Sequence, residues 1–260
     1  MTPTWEFTGD EFDALWAGID EEYMPDPFIH ISEASTADAA EYALKQNWTT
    51  IKQRWGHELD DIIEVLTHPD IRLIVRGYGG GERLTDPAFS VRMLAARKGD
   101  VGYLVRQRPG RTLYHSEGFV ITRHDALSLG DVVAGHLPEA EAGRGQEIRL
   151  DEPADDHLDH SYGRSLVQHY DDDAAVRTLT FQQAPIDRDG FIDVEQGWSR
   201  FGPRGIVRLR LGWRDLTDDG RYVLVPGTPR VAVGADRRRV VSLINTQIAE
   251  VVRAIRDDRA

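Results

Sequence analysis

The residues best suited to catalysis form a cluster of histidines and aspartates in the middle of the chain. The cluster consists of His157, His160, His169, Asp156, Asp159 and Asp171. Imidazole nitrogens and carboxylate oxygens are common zinc ligands, so these side chains could serve a small metal-dependent hydrolase. The His-x-x-His spacing places two rings less well than the i, i+4 spacing of a helical zinc motif, whose glutamate is also missing. A solvated polar helix is therefore the favoured interpretation, and the metal enzyme is the alternative.

Two further segments resemble ligand-binding motifs in part. Residues 185–196 are similar to a calcium-binding loop, but Pro185 and Gln196 stand where the first carboxylate and the final bidentate glutamate belong. We therefore expect a tight turn that enters a strand. The glycine-rich residues 77–82 lack the Gly-Lys-Ser/Thr of a phosphate-binding loop and predict a flexible hairpin. Neither segment completes a site, so we expect no metal, no cofactor and no enzymatic activity.

The composition narrows the class of protein further. The chain has 260 residues, with 31 Lys and Arg, 44 Asp and Glu, a formal net charge of −13 and no cysteine. The lack of cysteine excludes disulfides and thiolate metal sites, and it favours a reducing, cytoplasmic compartment. The negative charge argues against nucleic acid as a partner, because phosphate contacts need clustered cations. No apolar run has the length of a membrane-spanning helix, so we expect no membrane insertion.

The spacing of apolar residues predicts helices and strands that recur in the same order. Helical spacing after Thr8, where Glu11 completes a capping box, and again over residues 37–66 predicts helices that precede the first group of strands. A period of two then predicts strands, and each group of strands is followed by a helix, at residues 126–137 and 236–255. The predicted strands are 71–76, 89–97, 100–106 and 112–122 in the first group, and 191–199, 204–213, 222–225 and 230–233 in the second.

The two groups of strands also end alike. Residues 119–138 and 230–251 each have the pattern of a strand, a short polar turn and an amphipathic helix. We therefore predict an α+β fold with a pseudo-two-fold repeat of antiparallel strands followed by a helix, around a twisted central sheet with flanking helices. A helical pair at 157–170 and 172–183 precedes the second group. The predicted halves, 1–138 and 139–260, should together form one compact domain.

Charge is distributed unevenly between two segments of the second half. Residues 139–173 are rich in aspartate and glutamate, whereas residues 200–214 contain five arginines and no acidic residue. Because side chains alternate along a strand, Arg208, Arg210 and Arg214 fall on one face and apolar residues fall on the other. A basic sheet face without interleaved aromatic residues suits a protein partner with carboxylates better than single-stranded nucleic acid.

Several stretches resemble one known family. The run "VRLRLGWRDLTDDGRYVLVPGTPRVAVGADRRRVVSLINTQIAEV" at residues 207–251, with Gly220, Arg221 and Tyr222 as its sharpest motif, is similar to the C-terminal part of the EspG family. The opening "FTGDEFDALWAGI" resembles that family's first strand and helix. The stretches "LDDIIEVLTHPDIRLIVRG", "RMLAARKGDVGYLV" and "DALSLGDVVAGHLP" match its central region in order and length, so the resemblance covers nearly the whole chain.

The resemblance implies a function in protein secretion. EspG proteins are cytosolic chaperones of the actinobacterial type VII (ESX) secretion systems. A member would bind PE–PPE-like or other helical-hairpin substrates at the apolar tip of the hairpin and keep them soluble until the ESX machinery takes them. The implied fold is again pseudo-two-fold, with a twisted antiparallel sheet.

The family has no invariant string of binding residues, so the partner-binding residues are predicted from this sequence alone. An apolar hairpin tip needs a partly apolar surface with a polar rim, and the second half offers the best combination. The candidates are Glu195, Gln196, Trp198, Arg208, Arg210, Leu166 and Tyr170. The alternative is that Trp198 is an ordinary core residue and that the arginines pair with the acidic segment 139–173.

Overall fold

The computed structural model describes residues 2–19, 23–150 and 168–259, without the side chains of residues 168–175 and 259. The first half begins with a strand and three helices, and continues with four strands and a fourth helix. These elements are β1 (Thr4–Phe7), α1 (Gly9–Ala17), α2 (Ala37–Trp55), α3 (His57–Thr67), β2 (Ile71–Gly79), β3 (Val91–Lys98), β4 (Val101–Pro109), β5 (Ser116–Asp125) and α4 (Leu129–His136).

The second half repeats this order with fewer helices. Its elements are β6 (Ile148–Leu150), α5 (Gln168–Gln183), β7 (Ile186–Gln196), β8 (Arg208–Leu216), β9 (Gly220–Val225), β10 (Arg230–Gly234) and α6 (Arg237–Arg259). Helix α5 covers the second member of the predicted helical pair and runs through the predicted break near residue 171, while residues 157–167 lie outside the described residues.

All ten strands belong to one antiparallel sheet with the order β1-β5-β4-β3-β2-β7-β8-β9-β10-β6. This order is palindromic, because β1 to β5 of the first half occupy the same relative places as β6 to β10 of the second. The two halves meet where β2 pairs with β7 through nine residue pairs, from Ile71 opposite Gln196 to Gly79 opposite Arg188. The predicted repeat of antiparallel strands followed by a helix is confirmed.

Residues 185–196, predicted as a tight turn that enters a strand, are almost entirely strand. Strand β7 begins at Ile186, and both Asp187 and Asp189 are already part of it. Asp189 lies opposite Arg214 of β8, and Asp187 accepts a hydrogen bond of 3.1 Å from the Thr217 hydroxyl. Cross-strand partners therefore hold these carboxylates in an extended backbone, which overrides the local turn preference of Asp and Gly.

The sheet buries its two faces in different ways. One face carries a core that spans both halves, in which Ile71, Val75 and Val194 pack with Leu129 of α4 and Ile244 of α6. The opposite face carries two separate cores. The larger lies under α1, α2 and α3 in the first half, and the smaller lies under α5 at the outer strands of the second half. Between these cores, the surface of β7 and β8 bears exposed side chains.

Aromatic packing and a helix cap stabilise the first-half core. The Phe12 ring of α1 stacks on Phe119 of β5 with centroids 3.9 Å apart, and Phe28 packs edge-on against both rings. The predicted capping box is confirmed: the Thr8 hydroxyl accepts a bond from the Glu11 N–H at 3.1 Å, and the Glu11 carboxylate accepts one from the Thr8 N–H at 2.9 Å. These bonds satisfy two N–H groups that the helix leaves free.

The Gly-Arg-Tyr motif attaches the segment after α4 to β9. Gly220 has φ +141°, and a Cβ atom there would lie 2.6 Å from the Glu141 carbonyl oxygen, so only glycine permits this approach. The Tyr222 hydroxyl accepts a bond from the Gly145 N–H at 2.8 Å. Arg221 forms a buried ion pair with Asp215 through two bonds of 2.7 Å and donates to the Pro138 carbonyl at 2.8 Å.

We expect Asp215→Ala to lower the free energy of unfolding by about 3 kcal/mol or more, because it leaves the Arg221 charge buried without its partner. Chemical denaturation measures the loss. Asp131→Ala is the matched control, because its pair with Arg237 is exposed and should contribute less than about 1 kcal/mol. Similar losses in the two variants would contradict the role given to the buried pair.

Candidate partner-binding surface

A ladder of arginines and carboxylates crosses the exposed face of the central strands. We call it the arginine ladder, and it consists of Arg72 and Arg76 of β2, Asp193 and Glu195 of β7, and Arg208 and Arg210 of β8. The strand register creates it, because Glu195 lies directly opposite both Arg72 and Arg208, and Asp193 lies opposite Arg210. Alternation along each strand directs all six side chains to the same face.

Each carboxylate of the ladder contacts two arginines. Arg72 Nε donates to Glu195 Oε2 at 2.8 Å, and Arg208 Nε pairs with the other oxygen of the same carboxylate. Arg210 binds Asp193 in a bidentate manner, with Nε 2.6 Å from Oδ1 and Nη2 2.9 Å from Oδ2, and Arg76 Nη1 lies 3.5 Å from Oδ2. The carboxylates thus fix the positions of four guanidinium groups.

Burial differs sharply between the acidic and the basic members of the ladder. The Asp193 and Glu195 side chains are only 3–4% exposed, whereas those of Arg208 and Arg210 are 56% and 53% exposed. A buried carboxylate is stable only when it is paired, and here the arginines supply that pairing. Hydrogen bonds to Asp193 raise the pKa of Arg210 above its ordinary value. The buried carboxylates therefore hold the arginines in place, and the guanidinium groups of Arg208 and Arg210 remain exposed to solvent as a cationic surface.

The loop after β7 adds exposed aromatic side chains to one end of the ladder. Trp198 is 70% exposed and Phe201 is 66% exposed. Trp198 also borders a cavity of about 410 Å³ at the end of the sheet, which Pro69 and Ile255 help to line. Trp198 is therefore a surface residue, and the alternative that placed it in the core is wrong.

Gln196 holds this loop against the rest of the chain. Its side-chain amide donates to the Trp198 carbonyl at 2.7 Å and to the Asp258 carboxylate of α6 at 2.8 Å, and its amide oxygen accepts a bond from the Val207 N–H at 3.4 Å. Hydrogen bonds from Ser199 and Gln196 lower the pKa of Asp258. Because Gln196 is only 1% exposed, its amide serves contacts within the chain.

The structure brings three of the seven candidate residues together, because Glu195, Arg208 and Arg210 belong to the ladder. Gln196 and Trp198 follow Glu195 along the chain and lie at the end of the sheet beside α6. Of the described residues, the partners of Arg208 and Arg210 are carboxylates of β7 and not of the acidic segment. Leu166 lies outside the described residues, and Tyr170 belongs to α5 with a side chain that is not described.

Sequence reasoning missed five members of this surface, of which Asp193 belongs to the ladder and Phe201 to the loop after β7. Arg72 and Arg76 come from the first half, and only the pairing of β2 with β7 places them beside Asp193. Phe191 of β7 is 41% exposed, and the Arg210 guanidinium lies 4.8 Å from its ring centroid. The sequence shows that arginines alternate with apolar residues in β2, but it does not show which strand pairs with β2.

The described part of the chain holds no group of three or more His, Asp or Glu side chains that could bind a metal ion. The histidines of the alternative hydrolase lie elsewhere: His157 and His160 are outside the described residues, and the His169 side chain is not described. Among the described helices, none combines the length and the apolar content that crossing a membrane requires.

Comparison with known proteins gives a matching family and related solved structures. The model of the EspG family matches residues 8–246. The Mycobacterium tuberculosis type VII secretion system chaperone EspG5, solved in complex with a PE25–PPE41 dimer, is similar in fold with a TM-score of 0.56 and 11% sequence identity. The similarity covers 94% of this chain and 95% of that one. No curated protein sequence matches the chain.

We expect Gln196→Ala to lower the free energy of unfolding by about 2 kcal/mol, because buried hydrogen-bond partners then lose their bonds. Urea denaturation measures the change. Gln182→Ala is the matched control, because Gln182 is exposed on α5 and its loss should change stability little. A Gln196→Ala variant as stable as wild type would show that the amide bonds do not hold the loop.

Proposed function

Because the chain belongs to the EspG family, we propose that it is a cytosolic chaperone of type VII secretion. It binds a PE–PPE-type substrate pair, keeps the pair soluble and delivers it to the ESX machinery. Its relative EspG5 was captured with a PE25–PPE41 dimer, which supports this choice of partner. The proposed action is binding without catalysis.

The surface that carries the proposal is the open sheet face between the cores of the two halves. Its arginine ladder supplies fixed hydrogen-bond donors, and the exposed Phe191 ring lies among them. Exposed Trp198 and Phe201 belong to the loop that follows β7 at the end of the sheet. Interfaces with proteins gain affinity from buried aromatic anchors and specificity from a polar surround. An apolar hairpin tip with polar flanks would find both on this face.

The position of the surface also fits a partner that projects a narrow tip. Helices α1 to α3 cover the same face of the sheet in the first half, and α5 covers the outer strands of the second half. The open face over β7 and β8 therefore lies between two raised borders. A helical hairpin that enters end-on would contact the exposed face of β7 and β8, which forms the floor, and the helices on both sides of it. A flat partner would rest on the helices and would not reach the strands.

The direct test is co-expression of the tagged chain with a PE–PPE pair from its source genome. We expect a complex with one copy of each chain, detected by size-exclusion chromatography with light scattering, and a higher soluble yield of the pair than without the chain. If every encoded pair stays equally insoluble in its presence and none is retained by the tag, the proposed function is wrong.

We expect Trp198→Ala to weaken binding of the PE–PPE pair at least tenfold, because aromatic anchors dominate interface energies. Stability should change little, since the indole is mostly exposed. Titration calorimetry and thermal unfolding measure the two effects. Tyr114→Ala, in the connection between β4 and β5, is the matched control, with an exposed aromatic ring outside the proposed surface and its borders. Equal loss of affinity in both variants would move the binding site away from Trp198.

A further inference from the structure

One arginine of the ladder already binds a carboxylate that comes from outside the ladder. Arg76 contacts Asp193 of β7 through Nη1, and its Nη2 pairs with Asp26. Asp26 lies in the connection between α1 and α2, and its side chain is 68% exposed. The Arg76 guanidinium, which Asp193 holds, therefore binds a second carboxylate on its solvent side. We call Asp193 and Glu195 the floor carboxylates.

The other three arginines also contact Asp193 or Glu195, but through Nε, and none of them has a second carboxylate among the described side chains. Arg72, Arg208 and Arg210 each place Nε on Asp193 or Glu195. Each guanidinium has five N–H donors, so the floor contacts leave donors of each group free. Among the side chains that the structure describes, no other acid forms an ion pair with these three arginines.

The charges of the ladder do not cancel. Four arginines face the two floor carboxylates and Asp26, which leaves one positive charge in excess. Asp26 and Asp193 balance Arg76 and Arg210, so the excess lies on Arg72 and Arg208, which share Glu195. Arg208 and Arg210 are the most exposed of the four arginines, and they lie two residues apart on β8, about 7 Å apart along the strand. Arg210 is further fixed by the Phe191 ring. Two immobilised guanidinium groups lose little side-chain entropy when a carboxylate binds them.

We propose that Arg208 and Arg210 form a seat for an acidic side chain of a partner protein, bound as Asp26 is bound to Arg76. The inference rests on the proposed function only for the partner's identity, and it adds a determinant of specificity. The hairpin of a PE–PPE-type substrate would carry an aspartate or glutamate beside its apolar tip. An uncharged apolar residue there would desolvate the remaining N–H donors of Arg208 and Arg210 without giving them an acceptor.

The seat can be tested on the free chain with a small probe. The probe is N-acetyl-glutamic acid α-amide, which has a single side-chain carboxylate, and the observable is the arginine side-chain ¹⁵N–¹H signals. We expect saturable shifts of the Arg208 and Arg210 signals with a millimolar dissociation constant. N-acetyl-glutamine α-amide and sodium chloride at matched ionic strength are the controls and should not reproduce these shifts.

Two variants make this test specific. Arg208→Gln with Arg210→Gln should abolish saturable binding of the probe. Asp26→Asn should make the Arg76 signal respond to the probe as well, because its second position is then free. If the probe gives no saturable shift, or if the glutamine analogue or chloride gives the same shift, the seat does not exist.

The same neutral double variant then tests the seat with the PE–PPE pair. Glutamine is used because glutamate at these positions would face the buried carboxylates and destabilise the fold. We expect affinity to fall at least fivefold and its salt dependence to weaken, with Arg238→Gln and Arg239→Gln at the start of α6 as the matched control. If the PE–PPE pair binds equally well to the double variant, the seat is refuted but the chaperone function is not. If the probe binds to the wild-type chain but no PE–PPE pair does, the chaperone function is refuted and the seat is not.

Discussion

The pairing of β2 with β7 is the contact on which the rest of the molecule depends. Its nine residue pairs turn two five-stranded units into one sheet and set the register of one half against the other. The same register places Arg72 and Arg76, from the first half, against the buried acids of the second half. A shift by one residue would turn these charged side chains into the apolar core on the other face. The core and the proposed binding surface are therefore fixed by the same hydrogen bonds.

The two halves share a strand order but differ in how they cover it. The first half has three helices between β1 and β2, and their aromatic core seals the sheet. The second half has α5 between β6 and β7. The core beneath it lies on β6, β9 and β10 and reaches β7 and β8 only at their ends, at Ile186 and Leu216. Polar side chains on β7 and β8 are stable without a cover because each buried acid has arginine partners. The difference in helices thus leaves β7 and β8 with a charged face, which Arg72 and Arg76 of β2 extend into the first half.

The sequence predicted those parts of the fold that depend on local patterns. Alternation placed Arg208 and Arg210 on one face of a strand, and the capping box at Thr8 followed from spacing alone. Long-range pairing was not predictable in this way: nothing local indicates that Asp26 would meet Arg76. The division at residues 138 and 139 stays a prediction, as do the partner contacts, and a continuous sheet crosses that division.

The palindromic strand order is the arrangement that two copies of a five-stranded unit would give by pairing edge to edge around a two-fold axis. In such a homodimer, every surface feature would occur twice. A single chain that carries both units is free of that symmetry. Its two halves can therefore differ in charge and in the helices that cover the sheet. The arginine ladder draws residues from both halves yet occurs once among the described residues. The proposed surface would therefore be monovalent: it would hold one hairpin tip and would not cross-link two.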